Sequence, residues 1–234
     1  MAVTKVTSIV DQAGTILNDV GAVRWTRLEL QKWINAAYRE IVRLRPDANA
    51  VSATVTLAAG IRQKLADAAS INLPNATRLL DVVRNMAATS NKYPIKLVDQ
   101  DTIDQLYPGW MVETASVSIA HWMFNLLLPK EFLVYPPATS AAQVEIVYSS
   151  VPAAHALSDS ELNPTGGSSD VIRIDDIYAG SILDYVLYRA YLKDAEAGNA
   201  DRAAHHLAAF NGELGQQTST DVAVTEQPQG KGGR

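Results

Sequence analysis

The hydrophobic period of this chain changes twice, and that constrains its fold more than any motif does. Before Pro46 the apolar residues recur at helical spacing, from Val51 they alternate, and from about Asp175 helical spacing returns. Val6, Ile9, Val10, Ala13, Ile16 and Leu17 fall on one face of a helix over about 4–18. The stretch 19–25, with Gly21 inside it, breaks that pattern. Thr26 and Glu29 then form a T-x-x-E capping box, in which each side chain can satisfy the other residue's free backbone N–H. Leu30, Trp33, Ile34, Ala37, Tyr38, Ile41 and Leu44 make the apolar face of this second helix, and Pro46 ends it by clashing with a further turn.

From Val51 the alternation of Val51, Ala53, Val55 and Leu57 with Ser52, Thr54 and Thr56 predicts a half-buried strand. Residues 58–60 read as a hairpin turn into a partner strand over 61–65. Further strands are expected over 79–86, 93–98, 116–124, 131–135 and 143–150, interrupted by a short helix over 101–107. Pro108, Pro136, Pro137 and Pro152 punctuate the set. The segment 152–170 is rich in Ser, Gly, Pro and Asp and reads as a loop.

Asp175 and Asp176 then load the first turn of a helix carrying Ile177, Tyr178, Ile182, Tyr185, Val186, Tyr188, Tyr191 and Leu192. That helix is apolar over most of its circumference, so it must be buried or shared with a partner. Gly198 and Asn199 supply a helix stop and a new N-cap. Ala203, Leu207, Phe210 and Leu214 follow, ending at Gly215, so the last two helices form an antiparallel hairpin. The remaining residues, 216–234, have no period and few apolar groups, and are expected to be disordered when free.

Two helices, a β-rich middle, two helices and a tail predict an α+β fold. The N-terminal and C-terminal helix pairs (1–48 and 172–215) would join in one bundle, because each has an apolar face to bury. An antiparallel β-rich domain (49–171) would be inserted between them, with 216–234 as an extended, flexible C-terminal tail. Helix pairs lying on separate bodies would contradict this layout.

The search for chemistry finds little. The chain has no cysteine, hence no disulfide, thiolate zinc site or Cys nucleophile. His205 and His206 are adjacent and point to different sides of a helix, so they cannot both ligate one metal from it. His121 beside Trp122 and His155 among small loop residues read as structural or solvated rather than as ligands. Asp99, Asp101 and Asp104 lack the glycine and terminal Glu of a calcium loop and read as helix capping. No G-x-S-x-G, Walker or G-x-G-x-x-G motif occurs, and Gly166–Gly167 has no lysine after it to hold phosphate. No catalytic, cofactor-binding or metal-binding residue is therefore assigned. A cell-wall hydrolase would need paired carboxylates, for which Glu113 and Glu131 are candidates without a supporting motif.

A formal net charge of −5 argues against nucleic acid as the main partner. Basic residues do gather at Arg24, Arg27, Lys32, Arg39, Arg43 and Arg45, but they spread around the helix, as a solvated face would. The start of the chain has no continuous apolar stretch, since Asp11, Gln12 and Asn18 interrupt it, and is not expected to be a signal peptide. The longest apolar run, 122–128, contains Asn125 and is far short of a membrane span. The chain is expected to be soluble or assembled into something soluble.

Short motifs along the chain carry a family resemblance. The run Trp33-Ile34-Asn35-Ala36-Ala37-Tyr38-Arg39-Glu40-Ile41, closing in Arg45-Pro46-Asp47, resembles the early helix of head-to-tail adaptors of short-tailed bacteriophages, the tail tubular protein A family. Val55-Thr56-Leu57-Ala58-Ala59-Gly60-Ile61-Arg62-Gln63 is similar to the hairpin that follows in that family, although Ile61 stands where a threonine is usual. Leu79-Leu80-Asp81-Val82-Val83-Arg84-Asn85, Pro108-Gly109-Trp110, Phe132-Leu133-Val134-Tyr135-Pro136-Pro137 and Val144-Glu145-Ile146-Val147-Tyr148-Ser149-Ser150-Val151-Pro152 are similar to later landmarks. Arg189-Ala190-Tyr191-Leu192-Lys193-Asp194, Phe210 and Leu214-Gly215 complete the order, over about residues 3–215.

The resemblance implies a structural virion protein, not an enzyme and without cofactors, at the neck of the tail and assembled in the host cytoplasm. It implies a homo-oligomeric, twelve-fold ring below the portal protein. That ring would extend the channel for passing double-stranded DNA without sequence-specific binding, and would dock the tail nozzle protein without membrane contact. Tyr178, Tyr185, Tyr188 and Tyr191 are then candidates for a subunit interface. In the tail, Val222 and Val224 are candidate portal anchors, with Lys231 and Arg234 as charge contacts. The competing readings are a tail-associated hydrolase and a nucleic-acid-binding protein.

Overall fold

The computed structural model describes residues 3–88, 92–163, 167–193 and 199–225, with side chains as far as residue 215. The chain divides into two units, one made of residues 1–48 and 152–234 and the other of residues 49–151.

The first unit is helical. Its elements are α1 (Val6–Ile16), α2 (Arg27–Leu44), a single turn α4 (Asp159–Leu162), α5 (Ala179–Lys193) and α6 (Asn199–Thr225). Helices from both ends of the chain thus share one body. At its centre α5 packs against α1, α2 and α6, which explains why its sequence is apolar nearly all round. Val6, Ile9, Ile34, Ala37, Ile41, Ile182, Val186 and Phe210 meet in the same core. Lys5 pairs with Val171 in a single β-bridge, and Asp176 accepts hydrogen bonds from the N–H groups of Val3 (2.7 Å) and Thr4 (2.9 Å). Asp175 has the capping role instead, accepting from Ile177 N–H.

Thr26 caps α2 as its spacing predicts, accepting from Glu29 N–H at 3.3 Å. The Glu29 carboxylate turns to Lys193 of α5 at 2.6 Å, so the partner of the capping box serves a tertiary ion pair. Between α1 and α2, Asp19 accepts from three successive N–H groups, those of Val23, Arg24 and Trp25. Slight desolvation pushes its carboxyl upward, but the three hydrogen bonds and the nearby Arg24 charge hold it below the usual range.

The helical unit takes in more of the chain than the sequence reading assigned to it. Residues 152–170 belong here, not with the β-rich segment. Two amide side chains one turn apart on α2 hold them. Asn35 accepts from His155 N–H (2.8 Å) and donates to its carbonyl (3.0 Å). Gln31 does the same for Leu157, at 2.8 and 3.2 Å. Alternate residues of an extended segment are thereby paired as a neighbouring strand would pair them.

The second unit holds two sheets. β1 (Ala50–Thr56), β7 (Gln143–Ser150) and β3 (Ala76–Asn85) form one, in the order β1-β7-β3. β2 (Gly60–Lys64), β6 (Glu131–Ala138), β5 (His121–Phe124) and β4 (Lys96–Leu97) form the other, with α3 (Gln100–Leu106) after β4. Pairing is antiparallel except between β4 and β5, which run parallel. Val55, Leu79, Val82, Phe132, Val134, Val144 and Ile146 from both sheets share a single core.

The hairpin expected around residues 58–60 does not form, because β1 and β2 lie in different sheets. A buried side chain holds the crossover. Gln63 accepts from Ala58 N–H (2.7 Å) and donates to the carbonyls of Ala58 (2.9 Å) and Gly60 (3.2 Å). Gly60 sits there at φ 109°, a conformation only glycine adopts without strain. β6 also runs through Pro136 and Pro137 rather than stopping before them. Its pairing with β2 passes from Arg62↔Leu133 to Gly60↔Ala138, and its pairing with β5 ends at Tyr135, so neither proline is asked for a ladder N–H.

α6 extends to Thr225, beyond the Gly215 stop expected from sequence. Gly215 is one of several residues without a periodic signal, and a glycine inside a helix costs only about 1 kcal/mol relative to alanine.

Candidate functional site

The most enzyme-like cluster lies in the helical unit. Asp170 Oδ2 lies 2.6 Å from His155 Nδ1, and Tyr38 Oη lies 2.7 Å from His155 Nε2. A carboxylate can only accept, so Nδ1 carries the proton and Nε2 accepts from the Tyr38 hydroxyl. The Tyr38 oxygen in turn accepts from Arg173 N–H at 3.2 Å. Burial depresses the His155 pKa, although the Asp170 carboxylate opposes it, and burial raises the Tyr38 hydroxyl to about 12. The histidine is neutral near pH 7. Tyr38 and the His155 side chain have no solvent-accessible surface, so no substrate reaches them. This chain of hydrogen bonds fastens His155, Asp170 and Arg173 to Tyr38 of α2, and His155 is structural.

The other candidates scatter. His206 lies 2.7 Å from Asp184 and stacks on Tyr191, while His121 stacks on Tyr135. Among the described residues no group of His, Cys, Asp or Glu is placed to hold a metal ion. Asp99 precedes α3 but makes no side-chain cap bond, and Asp104 accepts from the Trp110 indole N–H at 2.6 Å. Of the expected capping set, Asp101 lies in the first turn of α3, and Asp104 anchors a tryptophan instead. Glu131 opens β6 and pairs with Arg62 (3.6 Å) and Lys64 (3.3 Å). Glu113 instead bonds Tyr135, four residues further along β6, or about 13 Å at strand rise. Those two carboxylates do not converge. Of the basic set, Arg43 pairs with Glu40, the buried Arg45 pairs with Asp47, and Arg24 lies over Trp25.

The four tyrosines are occupied within their own unit. Tyr178, Tyr185 and Tyr191 are buried and Tyr188 is half-buried. Tyr185 packs on Tyr188 and on Phe210, with ring centroids 5.8 and 5.3 Å apart. From the same stretch, Ile177 and Leu192 are exposed large apolar side chains. Val222 and Val224 fall within the backbone of α6. Lys231 and Arg234 lie outside the described residues.

What the sequence reading missed is a pair of exposed apolar patches on the β unit. The first is the connection between β5 and β6, Asn125-Leu126-Leu127-Leu128-Pro129-Lys130. Leu126 is 76% exposed and Leu127 87% exposed. The loop is nevertheless well held: Asn125 accepts from Leu127 N–H, Leu79 N–H donates to Pro129, and Leu65 N–H donates to Lys130. Arg62, Lys64 and Arg78 surround its base, with the Arg78 guanidinium over the Phe124 ring at 5.5 Å.

The second patch is formed by Leu106 and Tyr107 after α3, and by Met111 and Val112 in the turn that follows. Val112 is 89% exposed. Trp110 and Ile103 root this patch beside Met123, and the Tyr107 ring stacks on Tyr135 at 5.2 Å. Asp104, bonded to Trp110, and Glu113, bonded to Tyr135, lie beside it, and Asp101 stands one turn before Asp104 on α3; all three are exposed. Three consecutive leucines were legible in the sequence, but an apolar run reads equally well as buried strand.

Compared with known families, the chain matches the model for SU10 adaptor protein over residues 4–229, which spans both units. No curated protein matches it.

Proposed function

The chain belongs to the SU10 adaptor protein family, whose members are structural adaptors of phage particles, and we propose that it is the head-to-tail adaptor of a short-tailed phage. In this reading it is a non-catalytic virion component, assembled in the host cytoplasm and located at the neck. Copies close into a twelve-fold ring beneath the portal protein. The ring extends the channel for passing double-stranded DNA and presents a surface to the tail nozzle protein. The observation that carries the reading is a family match covering residues 4–229 of both units, rather than one domain. A formal net charge of −5 supports a channel wall that does not retain DNA. Among the described residues no helix is long and apolar enough to cross a membrane.

The end of α6 and the residues after it dock on the portal. Val222 and Val224 are the apolar anchors, and Lys231 and Arg234 the charged ones. Among the residues whose side chains are described, Leu214 is the last buried one of α6, so removing residues 216–234 takes away none of the described core. That deletion is expected to weaken binding to the purified portal at least tenfold, with an unchanged circular dichroism spectrum apart from lost helix. Unchanged portal affinity would refute the docking role.

A further inference from the structure

We propose that the leucine loop of one copy, residues 125–130, seats on the Leu106–Val112 patch of a second copy, giving a head-to-tail contact between β units. This rests on the ring-forming reading and specifies which surfaces join the copies.

The two patches are both apolar and carry opposite charge. Lys130 lies on the leucine loop itself, and Arg62, Lys64 and Arg78 stand around it, Arg62 and Lys64 sharing Glu131 as an ion-pair partner. Asp104, bonded to Trp110, and Glu113, bonded to Tyr135, stand at the other patch, with Asp101 one turn before Asp104 on α3. Two loops brought together would therefore place like charges face to face, as would two copies of the α3 patch. A loop meeting an α3 patch places Lys130 and Arg62 opposite Asp101 and Glu113. A contact between unlike patches is heterologous, and a heterologous contact propagates until it closes on itself as a ring.

Both surfaces are prepared for docking. The loop's leucines are held outward by Asn125 and by the bonds that Pro129 and Lys130 make to Leu79 and Leu65. The α3 patch stands on Trp110, which is buried and fixed by Asp104. Leu126, Leu127, Leu106 and Val112 would each give up exposed apolar area, which is the driving term for such association. Each copy offers both surfaces, so a ring of copies satisfies every loop and every patch.

The absence of cysteine makes the contact directly testable. Full-length Leu127→Cys and Val112→Cys chains are mixed under mild oxidation at concentrations where the parent chain associates by sedimentation. Leu127→Cys with Val112→Cys should cross-link at least tenfold faster than either variant alone. A chain carrying both substitutions should give a ladder of products. Glu113→Lys should slow the cross-link, and Lys130→Glu in the other chain should restore it. In the assembled state the thiol of Leu127→Cys should be shielded from maleimide. If the parent associates but the thiol stays reactive, or the cross-linking rates are equal, the loop faces some other partner and this contact is wrong. If the parent stays monomeric at every concentration, both alone and with portal, the ring reading fails as well.

Discussion

His155 shows how one residue decides between two accounts of a site. In sequence it is a histidine among small loop residues. In the structure it stands between a tyrosine and an aspartate at hydrogen-bond distance, an arrangement that resembles catalytic machinery until its burial is considered. Its depressed pKa has a thermodynamic consequence. The unfolded chain takes up a proton at about pH 6.5, whereas the folded chain resists until a lower pH. Stability is therefore full above about pH 7 and falls as the pH drops from about 6.5 towards the folded value. Asp170, Arg173 and Tyr38 are the groups facing the ring, and His121, also depressed by burial and by Lys96, adds to the slope. Urea denaturation at pH 7.5 and 5.5 should show this loss, and His155→Gln should reduce the pH slope whatever its baseline stability. An identical slope in the variant would show that His155 does not titrate on unfolding.

At the scale of elements, the period of the chain was legible and its partners were not. The two period changes place the helices and most strands, because amphipathic spacing reports which face of an element is covered. Spacing does not report what covers it. β1 and β2 are joined by three residues, with a glycine opening β2, which locally favours a hairpin, yet Gln63 takes up the crossover's backbone groups and the strands enter different sheets. Similarly, Gln31 and Asn35 look like surface amides one turn apart, but they hold His155 and Leu157 against the helical unit. Polar side chains paired to distant backbone leave no periodic trace. Gln63→Leu, which keeps the bulk and removes the amide, should cost roughly 1–3 kcal/mol by leaving the Ala58 and Gly60 groups unpaired. Chemical denaturation measures this directly, and a change under about 0.5 kcal/mol would assign the crossover to β pairing alone.

The whole molecule combines a helical unit assembled from both chain ends with a β unit of two sheets around one core. Its chemistry is that of surfaces. The helix richest in tyrosine is consumed by its own bundle, while apolar groups that the sequence reading left unassigned or placed in the short helix over 101–107 stand outside with charges beside them. That division fits a subunit whose interior makes the fold and whose loops make the assembly. The family relationship was legible from the order of short motifs, because many weakly specific matches in sequence order constrain one another. The exposed surfaces were not, since exposure depends on packing that no local pattern contains. The most direct test of the adaptor reading is electron microscopy of the purified chain mixed with its portal. The account predicts an added ring of twelve copies, coaxial with the portal and continuing its channel. Portal particles that bind no chain, or bind scattered copies without rotational closure, would contradict it.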